Sequence, residues 1–312
     1  MSRYVKVSVI SINPFFAKDK PENKTLTEYI ENMISESINQ VLADKPDLIV
    51  LPEYCDGLYG GTKDESLKLY EEKGDSILKM LKKKARENNC YISYPAQIRL
   101  ADGTARNTVS MIDRSGEILG IYHKNYVVIS ETEDFDVLCG KDIPVFECDF
   151  GKICPIICFD LQFEETRKRI KELKPDITMF NSHYHGSFLQ NFFAFETRSY
   201  FVSAICNNES SILSPLGEKI AKTTNYFNRV TCKINLDYAV CHLDYNIEKF
   251  KLAREKYGDK ISIHIPENLG SALLTSETDE FTIKDVIKEF EIELLDDYIK
   301  RSREHKKKYT EE

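Results

Sequence analysis

The sequence predicts a layered α/β fold, and three observations carry that expectation. First, strand-like alternation and helix-like spacing succeed one another: Val5, Val7 and Val9 alternate with Lys6 and Ser8, and then Ile30, Met33, Ile34, Ile38, Val41 and Leu42 recur along one helical face. Second, three short apolar runs each close on one chemically capable side chain, at Glu53, Lys124 and Cys158. Third, the chain has 312 residues with no Pro/Gly/Ser-rich linker before about residue 240, enough for one large α/β domain with a substantial core.

In chain order, Val5 to Ile10 reads as a strand and the stretch from Ile30 to Leu42 as a helix that Pro46-Asp47 breaks. Leu48-Ile49-Val50-Leu51-Pro52 then forms the strand that ends at Glu53. A second helix with Ile77, Met80, Leu81 and Ala85 leads into Tyr91-Ile92-Ser93-Tyr94, and Arg114-Ser115-Gly116-Glu117 has hairpin-turn chemistry between two strand-like runs. The second of these runs, Ile118 to His123, ends at Lys124. Near the end, Ile283, Val286, Ile287, Phe290, Leu294 and Tyr298 recur on one helical stripe that must cover an apolar surface, followed by the basic stretch Arg301 to Lys308.

Cys158 ends the apolar run Ile153-Cys154-Pro155-Ile156-Ile157 and is followed by a helix-like stretch, which places a thiol on a strand-to-helix turn. There the first N–H groups of the helix favour a thiolate and offer donors to a developing oxyanion. A free cysteine taken alone is more often a small core residue. Glu53 and Lys124 shift that weighing because each closes a strand in the same manner, and catalytic groups gather at strand ends and the loops beyond them.

At these residues the chain resembles the nitrilase, or carbon-nitrogen hydrolase, superfamily, whose members use a Glu-Lys-Cys triad. The resemblance is carried by Leu51-Pro52-Glu53, by Asn107-Thr108 through Gly116 to Lys124, and by Gly151 to Arg167 around Cys158. Glu196 to Tyr200, Asn207-Asn208 and Ser214 to Glu218 continue it, so that it covers roughly residues 1 to 240 in family order. It implies a four-layer α-β-β-α sandwich, a hydrolase domain over 1–270 with a C-terminal helical extension over 271–312, and the triad Glu53, Lys124 and Cys158. A second glutamate is expected at Glu133, ahead of Gly140, with Glu131 as its near competitor. The chain departs from the family at Gln162-Phe163-Glu164-Glu165 and in having no Trp; Asn181-Ser182-His183-Tyr184-His185-Gly186 stands near the expected pocket wall. Tyr54, Phe159, Asn181 and His183 are the expected substrate contacts.

The expected activity is a thiol-dependent hydrolase of non-peptide C–N bonds in small molecules, an amidase releasing a carboxylic acid and ammonia or an amine through a Cys158 thioester. Alternatives are an N-carbamoyl hydrolase, a nitrilase, an acyl-transferring member, or a non-catalytic binding or scaffold protein on the same fold. No cofactor is expected, and no metal, since His183 and His185 lack a completing Cys/His pattern. A formal charge of -8, with 51 acidic against 43 Lys and Arg residues, opposes a general nucleic-acid partner. Nine cysteines without a small-scaffold framework, and no visible secretory or membrane-spanning pattern, point to a reducing cytoplasm and away from a membrane. Cys154 and Cys158, about 13 Å apart on one strand at ~3.3 Å per residue, cannot pair with each other. At least a homodimer is expected, through Phe163 to Leu173 and the helix around Phe192 to Tyr200.

Overall fold

The computed structural model describes residues 2–13 and 15–310 and has the expected α/β class. One six-stranded sheet contains β1 (Tyr4–Ile10), β2 (Leu48–Val50), β3 (Tyr91–Arg99), β4 (Ala105–Ile112) and β5 (Ile118–His123). A second contains β6 (Phe146–Cys148), β7 (Gly151–Ile157), β8 (Ile177–Ser182), β9 (Tyr200–Ile205), β10 (Ser211–Leu213) and β11 (Lys219–Lys222), and β12 (Arg229–Asn235) returns to the edge of the first beside β1. Pairing is parallel along β1, β2 and β3 and along β7, β8 and β9, which sets Glu53 and Cys158 beyond the carboxyl ends of parallel strands. The β4–β5 hairpin is antiparallel, and its turn is closed by Asp113, whose Oδ1 accepts the Ser115 and Glu117 N–H groups.

Helices α1 (Leu26–Leu42), α2 (Lys63–Lys73) and α3 (Ser76–Asn88) belong with the first sheet. The sequence stripes do what their spacing dictates. Ile30, Ile34 and Ile38 of α1 and Ile77, Leu81 and Ala85 of α3 share one buried core with Ile10, Ile49 and Ile92. Each such fully buried aliphatic side chain contributes about 1.5–3 kcal/mol. Thr25 caps α1 and Thr62 caps α2, each with a reciprocal glutamate three residues on, Glu28 and Glu65. Beyond β5 come α4 (Ile129–Phe135), α5 (Glu164–Leu173) and α6 (Phe188–Thr197); the latter two span the segments expected to mediate self-association.

The two sheets are tied by polar side chains as well as packing. Asn181 Nδ2 at the end of β8 donates to the Leu51 carbonyl at 2.6 Å, and Ser11 Oγ after β1 donates to the Ile205 carbonyl of β9 at 2.7 Å.

Residues 6–233 form one compact unit, and residues 2–5 with 234–310 form another. The latter has its own three-stranded sheet, ordered β13 (Tyr238–His242), β15 (Ser271–Ser276), β14 (Ile261–His264), with α7 (Ile247–Tyr257), α8 (Ile283–Glu289) and α9 (Leu295–Tyr309). Its core gathers Cys241, Phe250, Ile261, Leu274, Ile283 and Val286. A division at residue 270 would separate β15 from the two strands it joins, so the structural division lies earlier, at Lys233 and Ile234. The single helical stripe expected from Ile283 to Tyr298 is instead two helices. Glu291 has a left-handed φ of 52°, and the backbone of Glu293 is held on both sides by the Asn246 side chain, at 2.9 and 3.0 Å, which interrupts the helix.

Candidate active site

Glu53, Lys124 and Cys158 converge. Glu53 lies in the turn after β2, 2% exposed, with Tyr54 behind it in a left-handed conformation. Lys124 follows β5 directly; its N–H donates to the Asn107 carbonyl at 2.8 Å and its own carbonyl accepts the Gly140 N–H at 2.7 Å, so its backbone is held from both sides. Its Nζ then reaches Glu53 Oε1 at 2.9 Å with the two side chains 1% and 3% exposed. Cys158 opens a 3-10 turn (Cys158–Gln162) with a φ of 45°, and its thiol faces Glu53 and Ser182. A non-glycine residue in this region is strained, and such strain clusters at functional turns.

The electrostatics follow from burial plus pairing. Burial alone would raise the Glu53 carboxyl, but Lys124 and His183, with hydrogen bonds from Lys124 and Asn107, hold it below the usual carboxylate range. Burial lowers the Lys124 ammonium, yet Glu53 and Glu131 outweigh that and hold it charged. The thiol goes the other way from expectation. Burial, reinforced by the Glu53 negative charge, pushes Cys158 up to about 12 against the pull of Lys124, so the resting group is a thiol. The five-residue turn does not overcome desolvation.

The second carboxylate on Lys124 is Glu131. Its Oε2 lies 2.7 Å from Lys124 Nζ and accepts the Val128 N–H at 2.8 Å; its Oε1 accepts from Tyr54 Oη and Asn107 Nδ2 at 2.8 and 2.9 Å. The expected Glu133 is exposed on α4. Two residues apart on a helix means about 200° apart in direction, so only one of the two can face the lysine, and the helix cap selects the third residue of the turn.

The four expected substrate contacts separate into two pairs. Tyr54 and His183 line a cavity of about 170 Å³ that also contains Glu131 in its wall, and the His183 N–H donates to Glu53 Oε2 at 3.0 Å. Phe159 does not line it; its ring is 37% exposed and stands edge-on to Phe163, centroids 5.1 Å apart. Asn181 does not either, being fully buried and committed to the Leu51 carbonyl, where it fixes the strand that carries Glu53.

Two residues with no site role assigned from the sequence also shape the site. Asn107 Nδ2 bridges Glu53 Oε1 at 2.8 Å and Glu131. Asp160, pushed up to about 6 by burial, accepts from Ile157 N–H, Tyr122 Oη and Tyr126 N–H at 2.8, 2.7 and 2.9 Å and so clamps the turn that presents Cys158. An aspartate two residues past the cysteine, at a turn start, was the available signal.

Residues 6–242 match the family model described as carbon-nitrogen hydrolase. Among curated proteins, the chain is 29% identical over 120 residues to 2-oxoglutaramate amidase of Bacillus subtilis, covering 38% of this chain and 45% of that one. It is 26% identical over 243 residues to apolipoprotein N-acyltransferase of Aquifex aeolicus, covering 72% of this chain and 53% of that one. The chain thus spans about half the length of these relatives. Among solved structures, the Caenorhabditis elegans NitFhit protein superposes with a TM-score of 0.67 at 14% identity, covering 93% of this chain and 98% of that one. An amidase from Nesterenkonia sp. AN1 bearing a covalent acetamide moiety at its active-site cysteine gives 0.64 at 14%, covering 81% and 97%. The fold is that of these neighbours, and with a family model spanning most of its length the chain belongs to the carbon-nitrogen hydrolase family.

Proposed function

We propose that the chain is a thiol amidase acting on small-molecule amides, with Cys158 as nucleophile. The observation that carries this reading is the buried Glu53–Lys124 pair, 2.9 Å apart, with the Cys158 thiol facing the same carboxylate. An ionised carboxylate beside a neutral thiol is a general base awaiting an electrophile. Proton transfer from a thiol held high to a carboxylate held low is uphill by itself, so it accompanies attack: Glu53 takes the thiol proton as Sγ bonds the carbonyl carbon. Lys124 and the Phe159 N–H stabilise the oxyanion. Collapse breaks the C–N bond, Glu53 delivers the proton to the departing nitrogen, and a thioester remains. Glu53 then deprotonates water, whose oxygen displaces the thiol and releases the carboxylic acid. Glu131 and Asn107 orient Lys124 and Glu53 through their hydrogen bonds. Relatives named as amidases support the reaction class.

Intact-protein mass spectrometry during turnover of a primary amide tests the reading. The wild type should transiently carry one acyl group on Cys158 and Cys158→Ala none; full activity in Cys158→Ala would refute covalent catalysis there. We also propose a cytoplasmic homodimer. The exposed Phe188 and Phe192 of α6, 72% and 46% accessible, support self-association, and light scattering showing only monomer at micromolar concentration would contradict it.

A further inference from the structure

The cavity against Glu131 and His183 differs in chemistry from the charged triad it adjoins. Phe15, Tyr54, Leu58, Tyr70, Phe135 and Val137 give it an apolar and aromatic wall, while Asn13, Ser66 and Gln97 contribute neutral polar groups. Apart from the His183 imidazole, none of the described residues lining it can carry positive charge. Its carboxylate, Glu131, is already saturated: Oε1 accepts from Tyr54 and Asn107, and Oε2 from Lys124 and the Val128 N–H, which uses the roughly four acceptor positions a carboxylate has. The Lys124 ammonium is likewise shared between Glu53 and Glu131.

Apart from the His183 imidazole, which stacks on Tyr59 with ring centroids 5.9 Å apart, neither sign of charge finds a partner among the described residues of this cavity. An anionic chain would meet no lysine or arginine and would face Glu131; a cationic chain would meet a carboxylate with no acceptor to spare. Size adds a second limit, because about 170 Å³ is below the roughly 300–1,000 Å³ of pockets for drug-sized ligands. Resting on the amidase reading above, we infer that the substrate amide carries a small uncharged acyl chain, branched or aromatic, lodged in this cavity, and that a carboxylate or ammonium on that chain excludes it.

The test compares isobutyramide and benzamide with succinamate and 4-aminobutanamide on the full chain. The neutral amides should exceed both charged ones in kcat/KM by at least about 100-fold, since a buried charge lacks compensation. Calorimetric binding to Cys158→Ala, which needs no turnover, should show the same order. Charged amides that react or bind as well as neutral ones would overturn the inference, as would failure of every neutral amide to bind Cys158→Ala. The amidase reading is judged separately, by whether any amide, charged or not, leaves an acyl group on Cys158.

Discussion

Replacing Glu131 with Gln should damage the site, while the same change at Glu133 should not. Glu131 contacts Lys124 Nζ at 2.7 Å with the side chains 15% and 1% exposed, so the pair is poorly screened. At that distance the gross Coulomb attraction is roughly 6 kcal/mol at an effective dielectric constant of about 20. Desolvation offsets much of this, and removing one partner of a fully buried pair costs about 3–5 kcal/mol. Glutamine keeps part of the hydrogen bonding and Glu53 still neutralises Lys124, so a stability loss of about 1–3 kcal/mol is expected. If the lysine then swings by an ångström toward Glu53, positioning losses of about 100-fold in kcat follow, equivalent to about 2.7 kcal/mol. Glu133→Gln, at an exposed helix position, should match the wild type in both respects. Denaturant unfolding and steady-state ammonia release from one amide read the two quantities on both variants. A damaging Glu133→Gln beside a silent Glu131→Gln would refute the assignment of the second carboxylate.

Two further outcomes follow from the same geometry. Glu53→Gln removes a charge that raises the Cys158 thiol while leaving the Lys124 charge that lowers it, so the pH midpoint for alkylation of Cys158, followed by peptide mass spectrometry, should fall below that of the wild type even as turnover is lost; a midpoint that stays or rises would exclude the assigned electrostatics. At Gly140, a Cβ would stand 2.2 Å from the His123 carbonyl oxygen and 2.8 Å from Asn125 Oδ1, so Gly140→Ala should shift the Lys124 backbone, cost about 1–3 kcal/mol and lower kcat more than it changes KM. Unchanged melting and kcat would show that Lys124 is not held through this contact.

The grouping of Glu53, Lys124 and Cys158 is legible because each follows an apolar strand punctuated by Pro, His-Lys or a turn, a one-dimensional pattern that survives folding intact. Glu131 was not separable from Glu133 in sequence, since choosing between them requires the phase of a seven-residue helix that offers no apolar stripe. Asn181 illustrates another limit. A polar residue at a strand end beside the site reads as a ligand-facing group, yet its partner is a backbone carbonyl 130 positions away on the other sheet. Asn246 is similar, because the capture of Glu293 that ends the helical stripe depends on chain folding rather than on local propensity. The resting state of the thiol is hidden for a comparable reason: the sequence shows the strand-to-helix turn, but not the depth of Cys158 or the orientation of Glu53 toward it.

The left-handed backbone at Cys158 narrows what could ever replace it. Serine, with the same branching as cysteine, can occupy a φ of 45° at comparable strain, so an oxygen nucleophile of that shape is reachable without rebuilding the loop. Threonine carries a second substituent on Cβ and is a genuine outlier at positive φ. A threonine-dependent enzyme therefore lies off the evolutionary paths open to this scaffold, and randomised libraries at this codon should be depleted of β-branched residues for lack of folding as much as for lack of chemistry.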